Sequence, residues 1–363
     1  MLFFFFSFFK EFSLYLTYNR IFIQPLTAYT SLARFQTLIL HTMDFLYSQF
    51  FIHPKYPTES FSGKTVIVTG SNVGLGKEAA RHFTRLDAEK VILAVRNLTS
   101  GHEAKEDIEK STGRHGVCEV WHLDLASFAS VKAFATRVST DLARLDIVVE
   151  NAGISTKKFV LAEGHERTIT VNVVSTFLLA LLLLPKLKEM ASTKNTSPRL
   201  SIVASEVHGW TNFAEWKEEN TFGALSDEPV GAKAMAERYR TSKLLEVLVV
   251  RELAPRLASS GVTLNMLNPG FCHSEILRDE GWFAYLMKLI LARSTEEGSR
   301  TLVAAAAAGK ESHGAYMTDG VVKNDALSGF VRSEDGQKAQ KKVWSELAAI
   351  LEHIQPGVTL GFA

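Results

Sequence analysis

Tyr239 and Lys243 stand four residues apart in YRTSK, which places a phenol and an ammonium on one face of a helix, one turn apart. A nearby positive charge favours phenolate, so the lysine is expected to draw the tyrosine pKa from about 10 toward neutrality. A tyrosine tuned in that way is a usable general acid, an effect worth roughly 10²–10⁴ in rate. Against this stands the accidental Tyr-x-x-x-Lys pair that many helix surfaces carry. Ser205, at the end of the apolar run LSIVA, is either a further hydroxyl for the same site or one of the strand-end serines that cap helices or sit idle. Asn172 lies inside the apolar run TVNVVSTF, where a buried amide needs partners, and this favours a role over chance.

A second locus is KTVIVTGSNVGLG at 64–76. Thr65–Thr69 is the β-branched run of a buried parallel strand, followed by Gly70, Gly74 and Gly76 and then a helical pattern from Lys77 through Phe83 to Leu86. A strand, a glycine turn and a helix aim free backbone N–H groups and the positive end of the helix at one point, where a phosphate can sit. The missing Cβ atoms let the backbone approach that anion closely.

These residues need a scaffold, and the β and α patterns alternate to supply one. Strands are expected at Val91–Val95, Val117–Leu123, Leu145–Val149, Leu200–Ala204 and Val262–Leu267. Helices are expected at Ser100–Lys110, Phe128–Leu142, about Glu166–Met190, Ala232–Leu257 and Ser333–Ile354, with AYMTDG at 315–320 as the last strand and its turn. Strands separated by helix-length segments pair in parallel through right-handed crossovers. The fold class is therefore α/β, a single doubly wound parallel β-sheet flanked by helices. FLLALLLLP at 177–185 is too short to span a membrane and reads as a helix buried between the sheet and a neighbour or partner subunit, which leaves a homodimer open.

Bulk composition narrows the function. Apolar content of 46% and charged content of 22% over 363 residues fit a soluble globular protein. A net charge of +1, with no basic stripe, argues against nucleic acid as a partner. Cys118 and Cys272 stand far apart and suggest neither a disulfide framework nor a cysteine metal site, and a reducing compartment, the cytoplasm, fits. His208 has no second His or acid at ligand spacing, so it reads as a structural histidine and no metal is expected.

Residues 1–42 differ from the rest. MLFFFFSFF carries no charge, but the apolar run is too short for a span and lacks the positive start of a secretory signal. An interfacial membrane anchor, a disordered leader and an upstream extension ahead of Met43 all remain open, the last two being favoured. Residues 43–363 read as one domain.

Taken in order, TGSNVGLG (Thr69–Gly76), Asn151-Ala152-Gly153, Asn172, Ser205, YRTSK at 239–243 and Asn268-Pro269-Gly270 make a set that resembles the short-chain dehydrogenase/reductase family, most closely its retinol-dehydrogenase-like members. The resemblance spans roughly Phe61 to Met317. It implies a Rossmann-type nucleotide fold with Gly70, Gly74 and Gly76 as the family's G-x-x-x-G-x-G turn, and Ser71, Asn72 and Leu75 within that turn. It implies that Tyr239 donates the proton in reduction and takes it back in oxidation. Lys243 would lower its pKa and hold the nicotinamide ribose, Ser205 would hydrogen-bond the substrate oxygen, and Asn172 would hold a water linking Lys243 to solvent. The chemistry agrees: hydride arriving at a carbonyl carbon builds negative charge on oxygen, so two O–H donors should already converge there.

By the same resemblance Asp124, next to Leu125 in HLDL, contacts the adenine; the alternative is an N-cap for the helix starting near Phe128, and one residue can do both. Pro269, Gly270 and Ser274 would hold the nicotinamide amide. NAD-selecting folds place an acid about 20 residues after the glycines, whereas here VILAVRN ends in Arg96. A guanidinium there can pair with a 2′-phosphate, so NADP (NADPH) is the expected cofactor. Departures are an alanine at 204, where two serines often stand, and Val174-Ser175 where glycine is frequent. Trp210, Phe213, Trp216 and Phe222 read as a lip over the site with a share in the core, and Trp282, Phe283 and Tyr285 fall where the family has its substrate lid. Both suggest an apolar small-molecule substrate: a retinoid, a steroid, a lipid or a compound of secondary metabolism. Two rivals stand beside an NADP-dependent oxidoreductase acting on CH–OH and C=O groups: a regulator that senses NADP without turnover, and a membrane-bound lipid enzyme or tether decided by residues 1–42.

Overall fold

Runs of Val, Ile and Leu with no polar face need cover on both sides, and that requirement organises the chain. A computed structural model describes residues 45–194, 196–273 and 291–360. Residues 48–363 form one compact unit. The extension at 1–42, Ser274 and the lid aromatics Trp282, Phe283 and Tyr285 lie outside the described residues.

The strands are β1 (Thr65–Thr69), β2 (Lys90–Val95), β3 (Cys118–His122), β4 (Ile147–Glu150), the short pair β5 (Leu161–Ala162) and β6 (His165–Glu166), then β7 (Arg199–Val203), β8 (Thr263–Asn268), β9 (Tyr316–Thr318) and β10 (Val321–Val322). Eight of them form one sheet in the order β10-β9-β8-β7-β4-β1-β2-β3. Every pairing in it is parallel except β9–β10. The order reverses between β1 and β4, and this switch point opens the crevice in which such sheets bind ligands.

Alternate residues of each strand serve opposite layers. Ile67, Ile92, Val148, Leu200 and Ile202 face α3 (Phe128–Asp141), α4 (Thr176–Thr193) and α5 (Met235–Leu257). Val66, Val68, Leu93, Val149 and Leu267 face the layer that holds α1 (Gly74–Arg85), α2 (Leu98–Thr112) and α6 (Thr295–Ala307). A last helix, α7 (Glu334–Ile354), packs back on α5 through Val343, Leu347 and Leu351, and Gln340 Nε2 donates to Glu252 at 2.7 Å.

Most expected elements hold to within a few residues, and the differences have causes. α1 starts at Gly74 rather than Lys77, because its first turn forms part of the glycine bend. The long stretch at 166–190 is not one regular helix: a π-helical turn, Thr170–Ser175, precedes α4. By length and composition the helical stretch Arg167–Thr193 could cross a membrane, but 89% of its apolar window is buried inside the protein, so it is a core helix. The turn after AYMTDG leads back into β10, an antiparallel edge strand too short to stand out in sequence. Phe213 and Phe222 are core residues rather than a lip. Phe213 and Trp216 pack on Phe330, each with ring centres 6.3 Å apart.

Beneath the crevice a polar clamp fixes the loop after β8. Arg293 Nη2 donates to Ser48 O (2.7 Å), Ile52 O (2.9 Å) and Asp319 Oδ1 (2.7 Å). Gln49 Nε2 donates to Phe271 O and Leu291 O, both at 2.9 Å, while its Oε1 accepts from Phe271 N. The Arg293 and Asp319 side chains are both almost fully buried. Breaking a buried ion pair by removing one partner costs about 3–5 kcal/mol. Arg293→Ala is therefore expected to lower the unfolding free energy measured by urea titration by an amount in that range, while a surface exchange such as Lys338→Ala leaves it unchanged.

Candidate active site

The glycine bend is built by β4 as much as by its own residues. Asn151 N and Ala152 N donate to Thr69 Oγ1 at 3.0 and 2.9 Å, and Asn151 Nδ2 donates to Thr69 O at 2.9 Å. Gly70 has φ +65°, and a Cβ there would lie 3.0 Å from Ala152 Cα. A Cβ on Gly76 would meet Asn151 Nδ2 and Gly70 O, each at 2.5 Å. Both positions thus exclude a side chain for reasons of contact with the backbone. Gly74, with φ +59°, borders open space. Val73 supplies no side-chain cap to α1, so the first N–H groups of that helix point into the crevice unspent by any cap.

Other residues expected to line a nucleotide are placed around this bend. The Ser71 hydroxyl is buried and donates to Val68 O at 2.8 Å, so it holds the turn. Asn72 Nδ2 donates to Ser100 Oγ at 3.1 Å, on the first turn of α2, and Leu75 packs toward Gly298 of α6. Arg96 is exposed just beyond β2, with no ion pair or hydrogen bond from its guanidinium to a described residue. Asp124 is half-buried and accepts from Ala126 N, whereas the cap of α3 is Ser127, so the capping alternative for Asp124 falls away. Leu125 is in the core. Pro269 and Gly270 follow β8, and Gly270 N donates to Asn268 Oδ1.

The proton-transfer residues meet at the same edge of the sheet. Ser205 follows β7, and its hydroxyl lies near enough to the Tyr239 phenol of α5 to help lower that phenol's pKa. Asn172, fully buried in the π-helical turn, accepts from Ile154 N (2.9 Å) and donates to Ile154 O (3.0 Å) and Ser242 Oγ (2.9 Å). Irregular turns of this kind recur at functional sites, and here the turn brings an amide to the chain after β4. Gly153 leaves a space between these groups: a Cβ on it would sit 3.4 Å from Asn172 Oδ1 and 3.7 Å from Lys243 Nζ.

Lys243 draws the Tyr239 pKa down, as the spacing suggests, but not far enough to offset burial. Its Nζ lies 5.8 Å from the Tyr239 ring centre and donates to Val203 O at 2.7 Å and to Glu246 at 2.8 and 3.1 Å. Burial raises the phenol above its ordinary range; the Lys243 charge and the Ser205 hydrogen bond work against that, while Glu246 adds to it. The expected fall toward neutrality is corrected accordingly. Burial alone would lower the Lys243 pKa, but the Glu246 carboxylate and Tyr239 hold it above the usual lysine range. Glu246 itself is pushed up to about 7 by burial, against the pull of Lys243. Glu150, at the end of β4, is buried with no hydrogen-bond partner for either oxygen among the described residues, and burial followed by the charge of Glu246 raises it well above the carboxylate range.

Glu150 and Glu246 went unremarked in the sequence, as did the clamp residues Gln49 and Arg293. The available signal was a glutamate in the last position of an apolar strand, LDIVVE, and another one turn after Lys243 on the same helix. His208 has the structural part expected of it. Its Nδ1 is 2.8 Å from Ser205 O and its Nε2 accepts from Ser328 N at 3.1 Å, which fixes Nδ1–H as the donor.

Comparison with known proteins matches residues 64–205 to the family model described as short chain dehydrogenase. The chain is 50% identical over 326 residues to the short chain dehydrogenase/reductase dmxR8 of Cryptosporiopsis sp., covering 88% of this chain and 100% of that protein. It is 45% identical to the short-chain dehydrogenase anuD of Penicillium roqueforti, covering 91% of this chain and 88% of that protein. Among solved structures it resembles the Pseudomonas aeruginosa RhlG/NADP active-site complex, at 25% identity and a TM-score of 0.54 over 73% of this chain and 97% of that one. The NADPH-bound carbonyl reductase from chicken fatty liver shares the fold at 20% identity, with a TM-score of 0.54 over 73% of this chain and 99% of that one.

Burial lowers the His208 pKa to about 4, below the value of about 6.5 in the unfolded chain. The unfolded state therefore binds the proton more readily between those values. Stability contributed by neutral His208 is fully present above pH about 6.5, declines as the pH falls, and levels off near 4, a loss of roughly 3 kcal/mol. Urea midpoints measured across this range for the natural protein and for His208→Gln are expected to differ by that acid-limb decline.

Proposed function

The chain belongs to the short-chain dehydrogenase/reductase family, and on that premise we propose that it transfers hydride between NADP and the carbonyl or alcohol carbon of an apolar small molecule. The observation that carries this reading is the meeting of the Ser205 hydroxyl and the Tyr239 phenol beside the space left by Gly153. Two O–H groups aimed at one point are what a developing alkoxide requires.

A nicotinamide nucleotide supplies or accepts the hydride. The residues present fit such a group: the uncapped N-terminus of α1 and the bend at Gly70–Gly76 suit its pyrophosphate, and Gly153 leaves room beside Lys243 for its ribose. All three N–H groups of Lys243 already have acceptors, so holding a ribose hydroxyl would require giving one of them up. Arg96, exposed beyond β2 and unpaired among the described residues, supports NADP over NAD, since a guanidinium pairs with a 2′-phosphate in a charge-assisted contact. Tyr239 gives the substrate oxygen its proton in reduction and recovers it in oxidation, with Ser205 holding that oxygen.

Val160 and Leu161, exposed on the chain that follows Asn151–Gly153, favour an apolar substrate, whether retinoid, steroid, lipid or secondary metabolite. A regulator that only senses the nucleotide would have no use for the Ser205–Tyr239 convergence.

Purified protein is expected to oxidise NADPH with members of a panel of apolar aldehydes and ketones. Tyr239→Phe should reduce that rate by roughly 10²–10⁴ while NADPH still binds by fluorescence titration. Arg96→Ala removes a contact worth about 1.5–3 kcal/mol, so NADPH affinity should fall about tenfold or more with NADH affinity unchanged. Equal losses for both nucleotides would reject the 2′-phosphate assignment.

A further inference from the structure

One buried ring joins the loop of Ser205 to a part of the chain that hydride transfer as described does not use. Ser205 caps the 3-10 turn Glu206–Trp210, and its Oγ accepts from Val207 N at 3.4 Å. Its carbonyl accepts twice from one residue, from His208 N at 3.2 Å and from His208 Nδ1–H at 2.8 Å. The His208 ring is 2% exposed and rests on Tyr316, with ring centres 5.2 Å apart. Its Nε2 accepts at 3.1 Å from the backbone N–H of Ser328, 120 residues further along, which caps the short helix Gly329–Arg332. A Cβ on Gly209 would lie 3.2 Å from Ser328 Cβ, so the two segments touch closely there. Farther along the loop, Thr211 Oγ1 and Thr241 Oγ1 are 2.8 Å apart, and Thr241 stands two residues past Tyr239 on α5.

We propose that His208 is a positioning residue that holds the Ser205 hydroxyl as a donor for the substrate oxygen, with Ser328 as its outer anchor. The inference rests on the hydride-transfer reading and adds a residue that acts through Ser205. A hydroxyl has one O–H donor and two acceptor lone pairs. Val207 N already takes a lone pair of Ser205 Oγ, so the O–H is the part left to meet a developing negative charge. That arrangement lasts only while the turn keeps its shape. A 3-10 turn has poor hydrogen-bond geometry of its own, and the backbone bond at 3.2 Å is a weak hold. The ring adds a shorter second bond to the same carbonyl, away from water.

Ser328 makes the hold directional. With its N–H aimed at Nε2, the single proton of the neutral ring must sit on Nδ1, where it faces Ser205 O. The same short helix carries Phe330, on which Phe213 and Trp216 of the loop pack. The stretch from 205 to 216 is thus fastened on one side to Ser328–Phe330 and on the other to α5 through Thr241. Ser205 and Tyr239 keep their relative places because the chain between them is tied at both ends.

The test is a double-mutant cycle in the full chain, with NADPH and the fastest-reduced member of a panel of apolar ketones headed by 2-decanone. His208→Leu removes both ring bonds, and a misplaced donor costs up to about 10² in rate, so kcat should fall about tenfold or more with NADPH affinity unchanged. His208→Asn keeps an N–H near Ser205 O and should recover most of that loss. In a Ser205→Ala background His208→Leu should change kcat by less than about twofold, because nothing is left for it to position. Equal losses in the two backgrounds would make His208 a merely structural residue and overturn the proposal. If His208→Leu fails to fold, Ser328 carries the same cycle. Leu327 has φ −61° and ψ 141° and Ser328 has φ −58°, which proline at 328 can adopt; Ser328→Pro removes the N–H that Ser328→Ala keeps. Ser328→Pro should lose more of kcat than Ser328→Ala when Ser205 is present and no more when it is absent; any other pattern overturns the proposal. If the natural protein reduces no member of the panel, the hydride-transfer reading fails. A crystal structure of Ser328→Pro then decides the positioning alone: Val207 N should have left Ser205 Oγ, and an unchanged turn would overturn the proposal.

Discussion

A lysine ammonium buried at the C-terminal edge of the sheet constrains everything around it. Placing such a charge away from water costs several kcal/mol unless acceptors surround it. The end of β7 supplies one through Val203 O, and Glu246 on the same helix supplies the rest. That requirement fixes α5 against β7, and with it the approach of Tyr239 to Ser205. The same helix buries Leu244, Leu245, Val247 and Leu248 against the sheet, so the apolar layer and the ion pair hold one register.

The two halves of the site meet at β4. Its last residue is Glu150, and the next three form the support for the glycine bend on one side and the space beside Lys243 on the other. A nucleotide bend and a proton-transfer group are thus set by adjacent residues of one strand end. This is the switch point of a doubly wound sheet, where neighbouring crossovers leave in opposite directions.

Much of this was legible in the residues. The strands were readable because fully buried β-branched runs have no competing pattern, and the glycine bend because only a close approach to the backbone needs so many missing side chains. Asn172 lies against Ser242 on the helix that carries Tyr239. What could not be read was where an ammonium points. Spacing places Lys243 on the same helix face as Tyr239, but the acceptors that orient it come from β7 and from a glutamate whose importance depends on burial. Phe213 and Phe222 were ambiguous for a similar reason: an aromatic in a long connection looks the same whether it faces a ligand or Phe330. The clamp at Gln49 and Arg293 joins segments with no shared local pattern.

That clamp also bears on the order in which the molecule can be completed. Gln49 bonds to partners 222 and 242 residues further along the chain. Such distant closures are among the slowest to form, because loop entropy must be overcome before the contact returns anything. As the protein leaves the ribosome, Gln49 has to wait for these partners until almost the entire sheet has been synthesised. The clamp at Gln49 is thereby closed late, and the loop after β8 that it holds is fixed only when the chain is nearly finished.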